Sequence, residues 1–105
     1  MDIHECFEKR LLRKISVDLE KSKKSLETAK TKLEEAKRLF ESDFFNDSLT
    51  KAYTSMFHAS RALLYKDGVQ EKSHYAVYIY IKEKYSGKIS LNLINSFNFL
   101  RDERH

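Results

Sequence analysis

The last five residues, Arg101-Asp-Glu-Arg-His105, bring two guanidinium groups and an imidazole within little more than one helical turn of each other. Arginine can clamp phosphate oxygens in a bidentate fork, and an imidazole moves protons near neutral pH. Together they suit RNA cleavage, in which a 2′-hydroxyl is activated and the charge gathering on phosphorus is neutralised. Arg104 continues the apolar row Leu93, Phe97, Leu100, which predicts a guanidinium turned inward that needs an anionic partner or ligand. Arg101 and His105 stand four residues apart and share a helix face. Spacing alone is equally satisfied by an ordinary charged helix end, where the helix dipole favours basic groups. A second polar group consists of Lys51, His58 and Tyr65 at seven-residue steps, with Arg61 beside them. It reads first as an interhelical hydrogen-bonding edge and second as a substrate-binding stripe.

Other chemistries are excluded by what is missing. His4, His58, His74 and His105 have no zinc-ligand spacing, and a single cysteine, Cys6, adds nothing to them. Glu71-Lys-Ser-His74 and Asp102-Glu-Arg-His105 imitate the paired E-x-x-H of di-iron bundles. Such a site also requires a carboxylate inside each of the other two helices. The segment after residue 46 has only Asp47 and Asp67, at its ends. No metal and no cofactor is expected. Two isolated glycines cannot build a phosphate-binding glycine loop, and no nucleophile sits in a Ser-His-Asp or Cys-His pattern. Twenty basic and sixteen acidic residues give a net charge of +4, spread along the chain. Even Lys21, Lys23 and Lys24, the densest basic cluster, read as a solvated helix face.

The elements that must position these groups are helices. A chain of 105 residues makes one domain, and with no proline and two glycines it lacks the turn-formers of a β-sandwich. Its 41% hydrophobic and 34% charged content excludes both a disordered chain and a membrane span. The N-terminus has no signal-peptide pattern, and one unpaired cysteine fits a reducing cytoplasm. Leu12, Ile15, Leu19, Ser22, Leu26, Ala29, Leu33, Ala36 and Phe40 form a heptad seam, predicting one helix over about 8–42. Its small residues Ser22, Ala29 and Ala36 invite a close neighbour, and its poverty in aromatics predicts a segment that protrudes or packs against another chain.

A helix over 46–67, capped by Asn46, Asp47 or Ser48, would bury Leu49, Tyr53, Met56, Phe57, Leu63 and Leu64 and stop at Gly68 in a left-handed turn. Tyr75 to Ile81 is rich in strand formers, yet with no partner strand in view a helix over 73–85, capped by Ser73, is the better reading. A fourth helix over 90–103, capped by Ser90, would turn Leu93, Ile94, Phe97 and Leu100 inward. The expected architecture is all-α, an antiparallel four-helix up-and-down bundle.

One stretch also resembles a known family. Phe40 to Tyr53, then Met56-Phe-His-Ala-Ser-Arg-Ala-Leu-Leu64, Gly68 and Lys72-Ser-His74 are similar to small prokaryotic HEPN-domain proteins, over about residues 26–105. The resemblance implies a dimerising helical bundle and, in many members, a metal-independent endoribonuclease toxin neutralised by a nucleotidyltransferase antitoxin. It also implies an R-x(4–6)-H motif with a polar residue directly after the arginine. Arg104-His105 looks like the opening of that motif, whereas Arg101-Asp102 reaches His105 after only three intervening residues. The resemblance therefore predicts a single domain over 1–105 that lacks the family's C-terminal end. In it Arg104 would hold the scissile phosphate, Arg101 or His105 would assist, and Lys51, His58 and Arg61 would contact substrate. A non-catalytic helical module that binds a nucleotide or a protein is the alternative, and a heptad-mediated assembly protein the third.

Overall fold

Seven-residue spacing of small side chains decides how the two longest helices meet. The computed structural model describes residues 1–103, so Arg104 and His105 lie outside the described residues. Along it run α1 (Ile3–Glu8), β1 (Leu12–Lys14), α2 (Leu19–Glu41), α3 (Phe45–Asp67), β2 (Val69–Glu71), α4 (His74–Lys84) and α5 (Leu91–Glu103). Ser22, Ala29 and Ala36 on α2 face Ala62, Ser55 and Ser48 on α3, so the two helices run antiparallel. In every rung a serine hydroxyl donates to an alanine carbonyl across the gap: Ser22 to Ala62 at 2.6 Å, Ser55 to Ala29 at 2.7 Å and Ser48 to Ala36 at 2.8 Å. Only small side chains leave room for such backbone approach, and each hydroxyl satisfies itself on the facing helix.

The expected first helix over 8–42 is divided. Arg10 adopts a left-handed φ of 59° and turns the chain out of α1. Leu12–Lys14 then pairs antiparallel with Val69–Glu71, in the register Leu12↔Glu71, Arg13↔Gln70 and Lys14↔Val69. A partner strand therefore does exist, but it serves the connector after Gly68 and not Tyr75–Ile81, which is helical as expected. Leu12 is buried, so it kept the apolar rhythm while belonging to a strand. Three residues are too few to show the alternation that would have given the strand away. Asp18 restarts the helix by accepting from the Lys21 amide at 2.9 Å.

The remaining boundaries fall close to expectation, with instructive exceptions. None of Asn46, Asp47 and Ser48 caps α3: the helix begins earlier, at Phe45 after an uncapped Phe44, which puts all three inside its first turn, and the Ser48 hydroxyl goes to Ala36. Gly68 closes α3 in the left-handed conformation at φ 76°, and its carbonyl accepts from the Ile15 amide at 2.9 Å. Ser73 caps α4 through the Ala76 amide, and Ser90 accepts from the Leu93 amide before α5. Residues Ala76 to Ile81 of α4 are buried all round, as expected of a central helix. Tyr53, Phe57 and Leu64 of α3 and Ile94 and Phe97 of α5 close over them, with Cys6 and Leu12 sealing the other end. Leu49 and Leu93, expected inward, are exposed, and so are Leu19, Leu26, Leu33 and Phe40 of the heptad seam. The fold is a mostly helical bundle carrying a two-stranded ribbon.

Candidate functional site

Ser73 starts α4 at His74, and that fixed beginning delivers the imidazole against α3. Its Nδ1 lies 2.6 Å from the Tyr53 hydroxyl, and its ring stacks on Phe57 with centroids 4.0 Å apart. Tyr53 and Phe57 are one turn apart on α3 and so share a face. Phe97 of α5 stacks on Tyr53 from its own side, centroids 5.4 Å apart. Three helices thus contribute to one aromatic pile with a histidine inside it. One turn beyond Phe97, Arg101 sets its guanidinium 5.1 Å from the centre of the Tyr75 ring, a cation–π distance. Its Nη2 and Nε donate to Asn98 at 3.0 and 3.3 Å, and its Nη2 pairs with Asp102 at 2.9 Å. The Arg101 side chain is only 17% exposed, whereas Asp102 stands in solvent.

Lys51, His58 and Arg61 lie along α3 but do not form one group. Lys51 crosses to α2 and pairs with Glu35 at 3.0 Å, while Lys32 reaches the same carboxylate at 3.6 Å. The hydrogen bond from Lys51 holds the Glu35 carboxyl below the usual carboxylate range, and in turn Glu35 raises the Lys51 ammonium. Arg61 reaches toward β2, with Nε 3.0 Å from Glu71, and its Nη2 donates to the Tyr65 hydroxyl at 3.0 Å. The Arg61–Glu71 contact is close but not aligned for hydrogen bonding, so Arg61 Nε and Glu71 Oε2 are buried without hydrogen-bond partners. Between these pairs sits His58, whose imidazole is pushed down by burial first and then by the positive charges of Arg61 and Lys32. It is neutral at pH 7. Lys51 and Arg61 tie α3 to α2 and to β2.

Of the residues singled out from sequence, Arg101 lies against Tyr75, the chain neighbour of His74. Arg61 and His58 reach the Phe57 ring of the pile, 5.7 and 5.9 Å from its centre, while Lys51 turns away to α2. Arg104 and His105 lie outside the described residues. Sequence reasoning passed over Tyr53 and His74 as chemical groups. The period of α3 assigns Tyr53 to the core, and the spacing around His74 offers only an incomplete E-x-x-H and part of the Lys72-Ser-His74 stretch of the family resemblance. The available signal was their joint presence in the stretch that carries the family resemblance.

Among the described residues no helix is long and apolar enough to cross a membrane. A model of the HEPN domain matches residues 22–105, and the chain belongs to the HEPN family. Neither a curated protein nor a solved structure matches it.

Proposed function

We propose that this chain is the toxin component of a toxin–antitoxin pair, a metal-independent endoribonuclease whose phosphate-binding edge is the C-terminal part of α5. Arg101 is the observation that carries this reading. Among the described residues its hydrogen-bond and ion-pair partners, Asn98 and Asp102, both belong to α5. A phosphate can take the place of the exposed Asp102 carboxylate without breaking any tie between helices. Tyr75, half-buried under the guanidinium, is the neighbouring ring against which an unpaired base would stack.

In the proposed reaction the RNA 2′-oxygen bonds to the adjacent phosphorus and gives up its proton. The bond from phosphorus to the 5′-oxygen breaks, and that oxygen is protonated, leaving a 2′,3′-cyclic phosphate. Arg101 neutralises the charge that builds on the phosphoryl oxygens. His74 carries the proton, and the Tyr53 hydroxyl at 2.6 Å fixes which ring nitrogen holds it. Arg104 grips the scissile phosphate in this scheme and His105 assists it. Lys51, His58 and Arg61 are secondary substrate contacts, since Glu35 and Glu71 already hold the two cations. Two copies of the chain pair, a nucleotidyltransferase-type antitoxin is the protein partner, and both act in the cytoplasm. Family membership supports this combination, as does the cluster around Arg101.

The test is cleavage of end-labelled RNA in buffer containing EDTA. Products ending in a cyclic phosphate are expected, with Arg101→Ala slowing the reaction about 100-fold or more and Arg101→Lys only partly restoring it. Tight nucleotide binding with intact RNA would instead favour a non-catalytic binding module. The buried, unbonded Arg61 Nε and Glu71 Oε2 support that second reading, because a polar ligand could satisfy both.

A further inference from the structure

The α2 helix turns two very different faces outward from its axis. Its small residues lie against α3, while the next row carries Leu19, Leu26, Leu33 and Phe40, which are 66%, 45%, 44% and 62% exposed. Single exposed leucines are ordinary, but four large apolar side chains at seven-residue intervals make one continuous stripe. From Leu19 to Phe40 it runs about 32 Å at 1.5 Å per residue. Phe45 extends it, edge-on to Phe40 at 5.3 Å. On α3 the row Leu49, Met56, Leu63 repeats the same seven-residue step. The Glu35–Lys51 pair marks one edge of the α2–α3 hairpin, and right-handed helix geometry puts both apolar rows on the other. Met56 and Leu63 there line a cavity of about 140 Å³ together with Leu93 of α5.

Charge says what fits this face. Each stripe residue is followed at once by a glutamate (Glu20, Glu27, Glu34, Glu41), and Lys23, Lys30 and Lys37 stand four residues after the three leucines. At 100° per residue both charged rows lie on the side of the stripe away from α3. A two-fold axis perpendicular to α2 near residues 29 and 30 sets Leu19 against Phe40 and Leu26 against Leu33 of a second copy. The same operation brings Lys23 beside Glu34, Lys30 beside Glu27 and Lys37 beside Glu20, each pair occurring twice. Lys37 and Glu34, now 3.6 Å apart within α2 and largely exposed, lose little by exchanging partners. In a parallel pairing the charged rows would instead meet the side that α3 occupies.

We infer that two copies of this chain associate through antiparallel pairing of their α2 helices along the Leu19–Leu26–Leu33–Phe40 stripe, locked by reciprocal lysine–glutamate pairs. This rests on the proposed function only for the existence of a dimer and adds the surface that forms it.

Light scattering and circular dichroism on the purified chain provide the test. The wild type should be a dimer at micromolar concentration, and Leu26→Glu/Leu33→Glu should be a monomer of unchanged helicity. A milder Leu26→Ala/Leu33→Ala variant, which introduces no charge, should raise the dimer dissociation constant at least about tenfold. Orientation is read by cysteine cross-linking: Lys30→Cys, beside the two-fold axis, should form an intermolecular disulfide and Lys23→Cys should not. A monomeric wild type, a dimer that survives the double glutamate, or cross-linking through Lys23→Cys would overturn the inference. RNA cleavage measured on the same samples separates the two proposals. An inactive wild-type dimer removes the nuclease and leaves this interface, whereas an active protein whose dimer ignores the stripe does the reverse.

Discussion

Two histidines that meet the same Phe57 ring, His74 stacked on it and His58 edge-on, show how surroundings assign a role to one residue type. His74 bonds the Tyr53 hydroxyl through Nδ1 within an aromatic pile, and Tyr53→Phe removes that bond while keeping the ring. If the hydroxyl orients a proton-carrying imidazole, Tyr53→Phe should lower the cleavage rate and shift its pH profile while leaving the substrate KM nearly unchanged. His58 is held neutral by burial and by Arg61 and Lys32, below its ordinary value of 6.5. The unfolded chain therefore binds this proton more readily than the folded one, so the stabilising contribution is present above 6.5 and is lost as pH falls through it. Thermal unfolding followed from about pH 7.5 down to about pH 5.5 should show a falling Tm, less steep in His58→Gln. Lys51, His58 and Arg61 were visible in the sequence as a stripe. Their partners Glu35 and Glu71 were not, because α2 and β2 contribute them from distant positions in the chain.

Elements are joined by a few backbone and polar devices, and these predict where the fold is fragile. Gly68 combines φ 76° with a site where an added Cβ would lie 2.8 Å from the Ile15 carbonyl oxygen. Gly68→Ala should cost about 2 kcal/mol or more, from the left-handed backbone and the clash together, measured by urea unfolding. Asp67, one residue earlier, accepts hydrogen bonds from the hydroxyls of Tyr80 at 2.9 Å and Tyr85 at 2.6 Å, fastening the end of α3 to α4. Burial and this carboxylate push both phenols up, Tyr85 to about 12. Asp67→Ala should destabilise by about 1–3 kcal/mol and bring the phenol titration, followed by ultraviolet absorbance, to lower pH. Local chemistry had announced the glycine stop and the Ser73 and Ser90 caps, since each depends on neighbours within a few residues. It had not announced the ribbon of Leu12–Lys14 with Val69–Glu71, whose strands are more than fifty residues apart and too short to carry a period.

At the scale of the molecule the α2–α3 hairpin is held by three serine-to-alanine rungs, and its close approach depends on their small volume. Ser55→Leu should force the helices apart and cost about 1–3 kcal/mol, whereas Ser55→Ala should cost no more than about 1 kcal/mol, both readable from chemical denaturation. Apart from Leu39, the apolar positions of α2 were legible as a heptad, yet the heptad divides into two rows. The small half met α3 within the chain and the large half was left exposed. Periodicity alone cannot divide a stripe between an internal and an external partner, because both follow the same helical geometry. Helical class, the Ser73 and Ser90 caps, the left-handed stop and family membership were determined by the sequence, for they are written in local propensity and in side chains a few residues apart. Tertiary structure alone decided that Arg101 lies over Tyr75, that Glu71 faces Arg61, and that the first segment bends through a strand. Each of these depends on contacts between residues far apart in the chain, whose free energy exists only once the helices have packed.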